Sequence, residues 1–172
     1  MQALQLLHCA IQIEGGETST CVQKFLRQAV RILMVEDFEP YRNHIASLLA
    51  KNADLWVICE VGDGLQAVQR AQELRPDLIL MDIGLPGLNG IAAARTILQL
   101  TPESKILFLT QETSADLVRE VLNVGAHGYV LKSQAGGELL GAIEAVLQGK
   151  RFVSGGLAGG ESAAGDGNAP TC

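Results

Sequence analysis

Five apolar runs of strand length recur along the middle of the chain: Ile32-Leu33-Met34-Val35, Trp56-Val57-Ile58-Cys59, Leu78-Ile79-Leu80-Met81, Ile106-Leu107-Phe108-Leu109 and Tyr129-Val130-Leu131. They are continuous rather than alternating, as expected of strands buried on both faces. Helical patterns separate them. Tyr41, Ile45, Leu48 and Leu49 share one face, and Leu65, Val68, Ala71 and Leu74 a second. Ile91, Ala94, Ile97 and Leu98 form a third, and Leu117, Val118, Val121 and Leu122 a fourth. Leu139, Leu140, Ile143, Val146 and Leu147 make a fifth, which Gly149 stops. Parallel neighbours need crossover connections, so five strand–helix units in succession predict a doubly wound α/β fold: a five-stranded parallel sheet with five helices on its two faces.

The flanks differ in composition. Residues 1–29 form a mixed N-terminal extension. Thr20 and Gln23 there have capping-box spacing ahead of Val22, Phe25, Leu26 and Ala29. A short helix over 20–29 packed on the domain and a stretch without fixed structure both fit. Residues 154–172 are rich in Gly and Ala, contain no Lys, Arg or aromatic residue, and are expected to stay disordered, because they offer little apolar area to offset ordering entropy. The periodic part, 30–153, is the expected domain.

Charge and cysteine usage narrow the function. Thirteen Lys and Arg against nineteen Asp and Glu give a net charge of −6, which repels a nucleic-acid backbone and argues against direct nucleic-acid binding. No apolar run reaches the length of a membrane span, and the N-terminus lacks a secretory pattern. Cys9, Cys21, Cys59 and Cys172 form no C-x-x-C pair or zinc-ligand spacing. Free thiols in the cytoplasm are the expectation, with a Cys9–Cys21 disulfide the lesser alternative.

Ligands in such folds bind beyond the carboxyl ends of the strands. Glu36-Asp37 follow the first run, Asp82 the third, Thr110 the fourth and Lys132 the fifth. With the first and third strands adjacent, three carboxylates become neighbours. Two carboxylates about 5 Å apart repel by about 3 kcal/mol at an effective dielectric near 20. Lys132 offsets part of this, and a divalent cation would offset the rest. Carboxylate oxygens with few other ligands suit Mg²⁺, which tends to share its shell with a phosphate. The constellation points to a phosphoryl group carried on Asp82. Its oxygens would be met by Mg²⁺, by the Lys132 ammonium, and by the Thr110 hydroxyl with nearby backbone N–H groups. Asp82 as a mere helix N-cap, and Glu36-Asp37 as acids favouring a helix start at Pro40, are the plainer readings.

The residues Val35-Glu36-Asp37, the run Met81-Asp82-Ile83-Gly84-Leu85-Pro86-Gly87-Leu88-Asn89-Gly90, Leu109-Thr110 and Gly128-Tyr129-Val130-Leu131-Lys132 together resemble a response-regulator receiver domain of two-component signal transduction. The resemblance covers about residues 30–153 and implies the flavodoxin-like strand order 2-1-3-4-5. It implies Asp82 as phosphoacceptor and Asp37 as a direct Mg²⁺ ligand. Glu36 would hold metal-bound water, and Gly84 would lend its backbone carbonyl. Thr110 takes the place of the switch hydroxyl, Lys132 of the phosphate-binding lysine, and Tyr129 of the aromatic that rotates inward on activation. The implied donor is a phosphohistidine on a histidine kinase or phosphotransferase, and a phosphorylation-dependent dimer is a further expectation.

Three departures stand out. Lys132 precedes Ser133 where the family often has a cis Lys-Pro; a cis non-prolyl bond costs about 3 kcal/mol. Gln111 replaces the small residue that often follows the switch hydroxyl, and Glu112 comes next. Gly84 and Glu112 are therefore expected to tune dephosphorylation. The stretch Gly125-Ala126-His127-Gly128-Tyr129 is most like receivers fused to a helix-turn-helix domain. None follows Val153 here, so a stand-alone receiver acting through protein contacts is the expectation. Its only chemistry would be self-phosphorylation and slow self-dephosphorylation. A phosphate-independent receiver-like binding module is the alternative. A haloacid-dehalogenase-like phosphatase would want D-x-D where this chain has Glu36-Asp37-Phe38-Glu39.

Overall fold

The structure, a computed structural model, describes residues 29–155. The expected helix over 20–29, apart from Ala29, and residues 156–172 of the expected tail lie outside the described residues. The elements are β1 (Val30–Val35), α1 (Glu39–Leu49), β2 (Leu55–Val61), α2 (Gly64–Leu74), β3 (Leu78–Met81), α3 (Gly90–Leu100), β4 (Lys105–Thr110), α4 (Ala115–Asn123), β5 (Gly128–Leu131), α5 (Ala135–Leu147) and β6 (Phe152–Val153). The strands form one sheet in the order β2-β1-β3-β4-β5-β6, with every pairing parallel. No helix among the described residues is long and apolar enough to cross a membrane.

The continuous apolar runs of β3 and β5 are buried at every residue, because a separate core covers each face. Leu33, Val35, Ile79, Met81, Phe108 and Tyr129 pack against α2, α3 and α4 on one side. Ile32, Met34, Leu80, Leu107 and Val130 pack against α1 and α5 on the other. Side chains alternate across a strand, so each run supplies both layers.

The sheet has six strands where five were expected. Gly149, at φ +80°, turns the chain back along the open edge of β5, where Phe152 and Val153 pair with Gly128 and Tyr129. A two-residue strand carries too little pattern to read ahead of the fold. Ser154, which the sequence reading places in the tail, is fully buried. Its Oγ accepts from Leu131 N at 3.0 Å and donates to Glu138, and its N–H bonds Tyr129 O at 2.9 Å. Ser154→Ala is expected to orphan the buried Leu131 N–H and cost roughly 1–3 kcal/mol, as chemical denaturation would show. A loss below 0.5 kcal/mol would mean that edge is solvated.

Two helical faces differ from expectation. Leu65 is 63% exposed; α2 buries Ala71, as expected, together with Gly64 and Ala67 in place of Leu65. Small residues let α2 approach closely: a Cβ on Gly64 would lie 1.8 Å from Leu88 O. On α5, Leu140 and Leu147 are exposed while Leu139, Ala142, Ile143 and Val146 are buried. The helix is apolar nearly all round, so its periodicity alone does not choose the buried stripe.

Candidate functional site

Register brings the strand-end residues together. Val35 pairs with Met81 and Thr110 with Leu131. The ladders run one residue further, Asp82 N bonding Val35 O at 2.9 Å and Lys132 N bonding Thr110 O at 2.8 Å. Glu36 and Asp82 therefore leave neighbouring strands at one level, and Thr110 and Lys132 follow within two residues of it along β4 and β5.

One carboxylate oxygen each from Glu36, Asp37 and Asp82 falls within 4.8 Å of the others. Glu36 is 3% and Asp82 8% exposed, whereas Asp37 faces solvent. The Lys132 ammonium joins the two buried acids. Its Nζ donates to Asp82 Oδ2 at 2.8 Å and to Glu36 Oε1 at 3.0 Å. Glu36 Oε2 lies 2.7 Å from the same nitrogen but has no hydrogen bond of its own. Burial pushes the Glu36 carboxyl up, the Lys132 hydrogen bond opposes this, and the Asp82 charge adds to the rise. Burial alone would push the Lys132 amine down. The hydrogen bonds to Asp82 and Glu36 outweigh it, so the amine stays above its usual range and charged.

A cleft of about 380 Å³ opens over these groups, lined among others by Glu36, Asp37, Asp82, Gly84, Thr110, Glu112 and Lys132. Seven of the eight residues singled out from the sequence thus share one cavity. The eighth, Tyr129, is fully buried and already turned inward, its hydroxyl donating to the Glu112 carbonyl. Glu112 N donates in turn to Thr110 Oγ1 at 3.2 Å, so Thr110 and Tyr129 both hold the backbone of Glu112. Asp82 Oδ1 accepts from its neighbour Ile83 N at 2.7 Å. The cap of α3 is Asn89, whose Oδ1 accepts from Ala92 N at 2.8 Å, which removes the reading of Asp82 as a helix cap. There is no cis peptide bond among the described residues, so Lys132–Ser133 is trans.

Two residues escaped the sequence reading. Arg42, one turn into α1, donates from Nη1 to Glu36 O at 2.7 Å and pairs through Nε with Glu60 Oε2 at 3.2 Å, fixing the backbone that presents the acids. Tyr41 lies beneath the Lys132 ammonium, its ring centroid 4.8 Å from Nζ. Both sit on a helix face that reads as ordinary packing; their proximity to Glu36-Asp37 was the available signal.

Three hard carboxylate oxygens within 4.8 Å of one another, one of them on an exposed acid, suit a small divalent cation such as Mg²⁺. The Lys132 ammonium beside them is the group that can donate to a phosphoryl oxygen.

Comparison with known proteins identifies the family. The family model described as the response regulator receiver domain matches residues 32–144. The chain is 36% identical over 130 residues to the transcriptional regulatory protein LiaR of Bacillus subtilis (strain 168), spanning 76% of this chain and 62% of that protein. It is 33% identical over 124 residues to the transcriptional regulatory protein DegU of Brevibacillus brevis, spanning 72% of this chain and 52% of that one. The chain thus spans less than two thirds of the length of these relatives. Among solved structures, a LuxR-family two-component response regulator from Aurantimonas sp. SI85-9A1 matches with a TM-score of 0.73 at 35% identity, covering 76% of this chain and 93% of that one. The isolated REC domain of RcsB from Salmonella enterica serovar Typhimurium, solved with the phosphomimetic BeF3−, shares the fold at a TM-score of 0.71 and 22% identity, covering 76% of this chain and 96% of that one. Strand order, strand-end residues and these matches converge: the chain belongs to the response regulator receiver domain family.

Proposed function

We propose that the chain is a phosphorylation switch in which Asp82 accepts a phosphoryl group from a phosphohistidine of a histidine kinase or phosphotransferase. A carboxylate oxygen of Asp82 forms the new P–O bond as the P–N bond to the donor imidazole breaks, its electron pair leaving on the ring nitrogen. The carboxylate is already a nucleophile, so no general base is required; positioning and charge stabilisation do the rest. Lys132 holds one phosphoryl oxygen, and the Thr110 hydroxyl with nearby backbone N–H groups another. Glu36, Asp37 and Asp82, with the Gly84 carbonyl, would hold Mg²⁺, which when bound neutralises charge on the transferring group.

The observation that carries this reading is the Lys132 Nζ–Asp82 Oδ2 contact of 2.8 Å in a cleft shared with Thr110 and two further acids. An ammonium buried against an acid at the end of the central strands is a waiting counter-charge for a phosphoryl oxygen. Incubation with acetyl phosphate and Mg²⁺ should give a phosphoryl adduct by intact mass in the wild type and none in Asp82→Ala. Equal labelling of both would place the acceptor elsewhere.

The output follows from the Glu112 tether. When the Thr110 hydroxyl turns to a phosphoryl oxygen it releases Glu112 N–H, and the segment between β4 and α4 is free to shift with Tyr129. That remodels the surface of α4, β5 and α5, where a downstream protein or a second copy of the domain would bind in the cytoplasm. A nearly complete switch takes about 5.5 kcal/mol of differential stabilisation, within reach of several charge-assisted bonds. Gly84 and Glu112 border the water that hydrolyses the acyl phosphate. A Cβ at Gly84 would lie 3.9 Å from Asp82 Oδ2. Gly84→Asn and Glu112→Ala are expected to change the half-life of phospho-Asp82 several-fold, roughly the effect of one repositioned hydrogen bond. Unchanged decay in both variants would remove that role.

A further inference from the structure

The Lys132 ammonium carries three N–H donors. Glu36 Oε1 and Asp82 Oδ2 take two. Beneath the nitrogen lies the face of Tyr41, a half-buried residue of α1 that lines the cleft and packs against the α1–α5 core. Its hydroxyl is buried and has no hydrogen-bond partner. An unsatisfied buried hydroxyl is unfavourable, so the hydroxyl does not account for this side chain's place. Burial, with the charges of Glu36 and Asp82, holds the phenol well above its usual range, and the ring stays neutral.

We propose that Tyr41 is a positioning residue for Lys132, its ring face acting as a platform that keeps the ammonium over Asp82 when the acceptor is phosphorylated. The inference rests on the phosphoryl-acceptor reading above. In the free protein two carboxylates hold the ammonium. Once Asp82 is an acyl phosphate, the negative charge sits on the phosphoryl oxygens beyond the carboxyl, and the N–H donor that Asp82 Oδ2 took passes to one of them. The ring remains. It attracts the cation through its quadrupole without offering an anionic oxygen that competes with the phosphoryl group for N–H donors. Because the ring takes up no N–H donor, it holds the ammonium in place while a donor passes from the carboxylate to the phosphoryl group, so that less positioning is left for the phosphoryl group to impose.

Binding of BeF3− with Mg²⁺, measured by calorimetry, and the chemical shift of the Lys132 Hε protons form the test in the full chain. Tyr41→Phe keeps the ring and removes the orphaned hydroxyl; Tyr41→Leu keeps an apolar side chain and removes the ring. Wild type and Tyr41→Phe should bind alike and show Lys132 Hε protons shielded by the ring. Tyr41→Leu should bind roughly tenfold more weakly, with those protons at ordinary shifts. Equal affinity in Tyr41→Phe and Tyr41→Leu, with binding still lost in Lys132→Ala, would overturn the platform and leave the acceptor site standing. No uptake of BeF3− by the wild type would overturn the acceptor reading and the platform with it.

Discussion

Lys132→Ala is expected to slow phosphorylation of Asp82 by acetyl phosphate roughly 100-fold or more, the cost of removing one donor from a developing oxyanion, and to destabilise the fold by on the order of 3 kcal/mol. The second effect follows from burial. The side chains of Glu36 and Lys132 are 4% and 9% exposed, so deleting the amine leaves Glu36 and Asp82 facing each other without their counter-charge. The deficit should depend on pH with a definite sign. The Glu36 carboxyl is already raised in the fold, and losing the Lys132 hydrogen bond raises it further. A carboxyl whose folded pKa exceeds its unfolded value destabilises increasingly as pH rises above the unfolded value. The gap between variant and wild type should therefore close as pH falls toward 4.5. Mg²⁺ should also narrow it at neutral pH by replacing the missing charge. Urea denaturation at several pH values, with and without Mg²⁺, measures this. A variant as stable as wild type at neutral pH would show that water screens the pair.

Gly90→Ala should injure the same site from behind. Gly90 opens α3, and its N–H bonds Ile83 O at 2.9 Å. A Cβ there would stand 2.0 Å from the Asp82 carbonyl oxygen and 3.0 Å from Ile83 Cα. Both obstacles are backbone, so no side chain can swing aside. The start of α3 or the segment carrying Asp82 must move, at a cost of roughly 3 kcal/mol. A displacement of the acceptor by about 1 Å is expected to cost up to roughly 100-fold in the transfer rate. Gly141→Ala is the control. It lies in the exposed face of α5 with nothing within 4 Å of the added carbon, and it should stabilise the helix by about 0.5–1 kcal/mol while leaving phosphorylation untouched. If both substitutions behave alike, the close approach at Gly90 is not what limits the site.

Most of the architecture was legible before the coordinates. Runs such as Leu78-Ile79-Leu80-Met81 announce strands buried on both sides, and acids or hydroxyls at their ends stand out because a core has no use for them. What escaped was information that no single segment carries. Leu65 and Leu140 are as apolar as their buried neighbours, and only the close approach of Gly64 to Leu88, or the side of α5 that meets the sheet, leaves them in solvent. β6 is two residues long, and its pairing is set by the open edge of β5. Arg42 and Tyr41 read as helix-face residues, because their partners Glu60 and Lys132 are met through the fold.

The sequence by itself determined which atoms are available for chemistry and at which strand ends they emerge, since periodicity and strand length depend on local covalent geometry. The tertiary structure alone decided that an amine from the fifth strand and two buried acids from the first and third meet within 3.0 Å. It also decided that an aromatic ring from the first helix lies beneath that amine and that Ser154 closes the far edge. Such distances are set by sheet order and register, which depend on every strand at once.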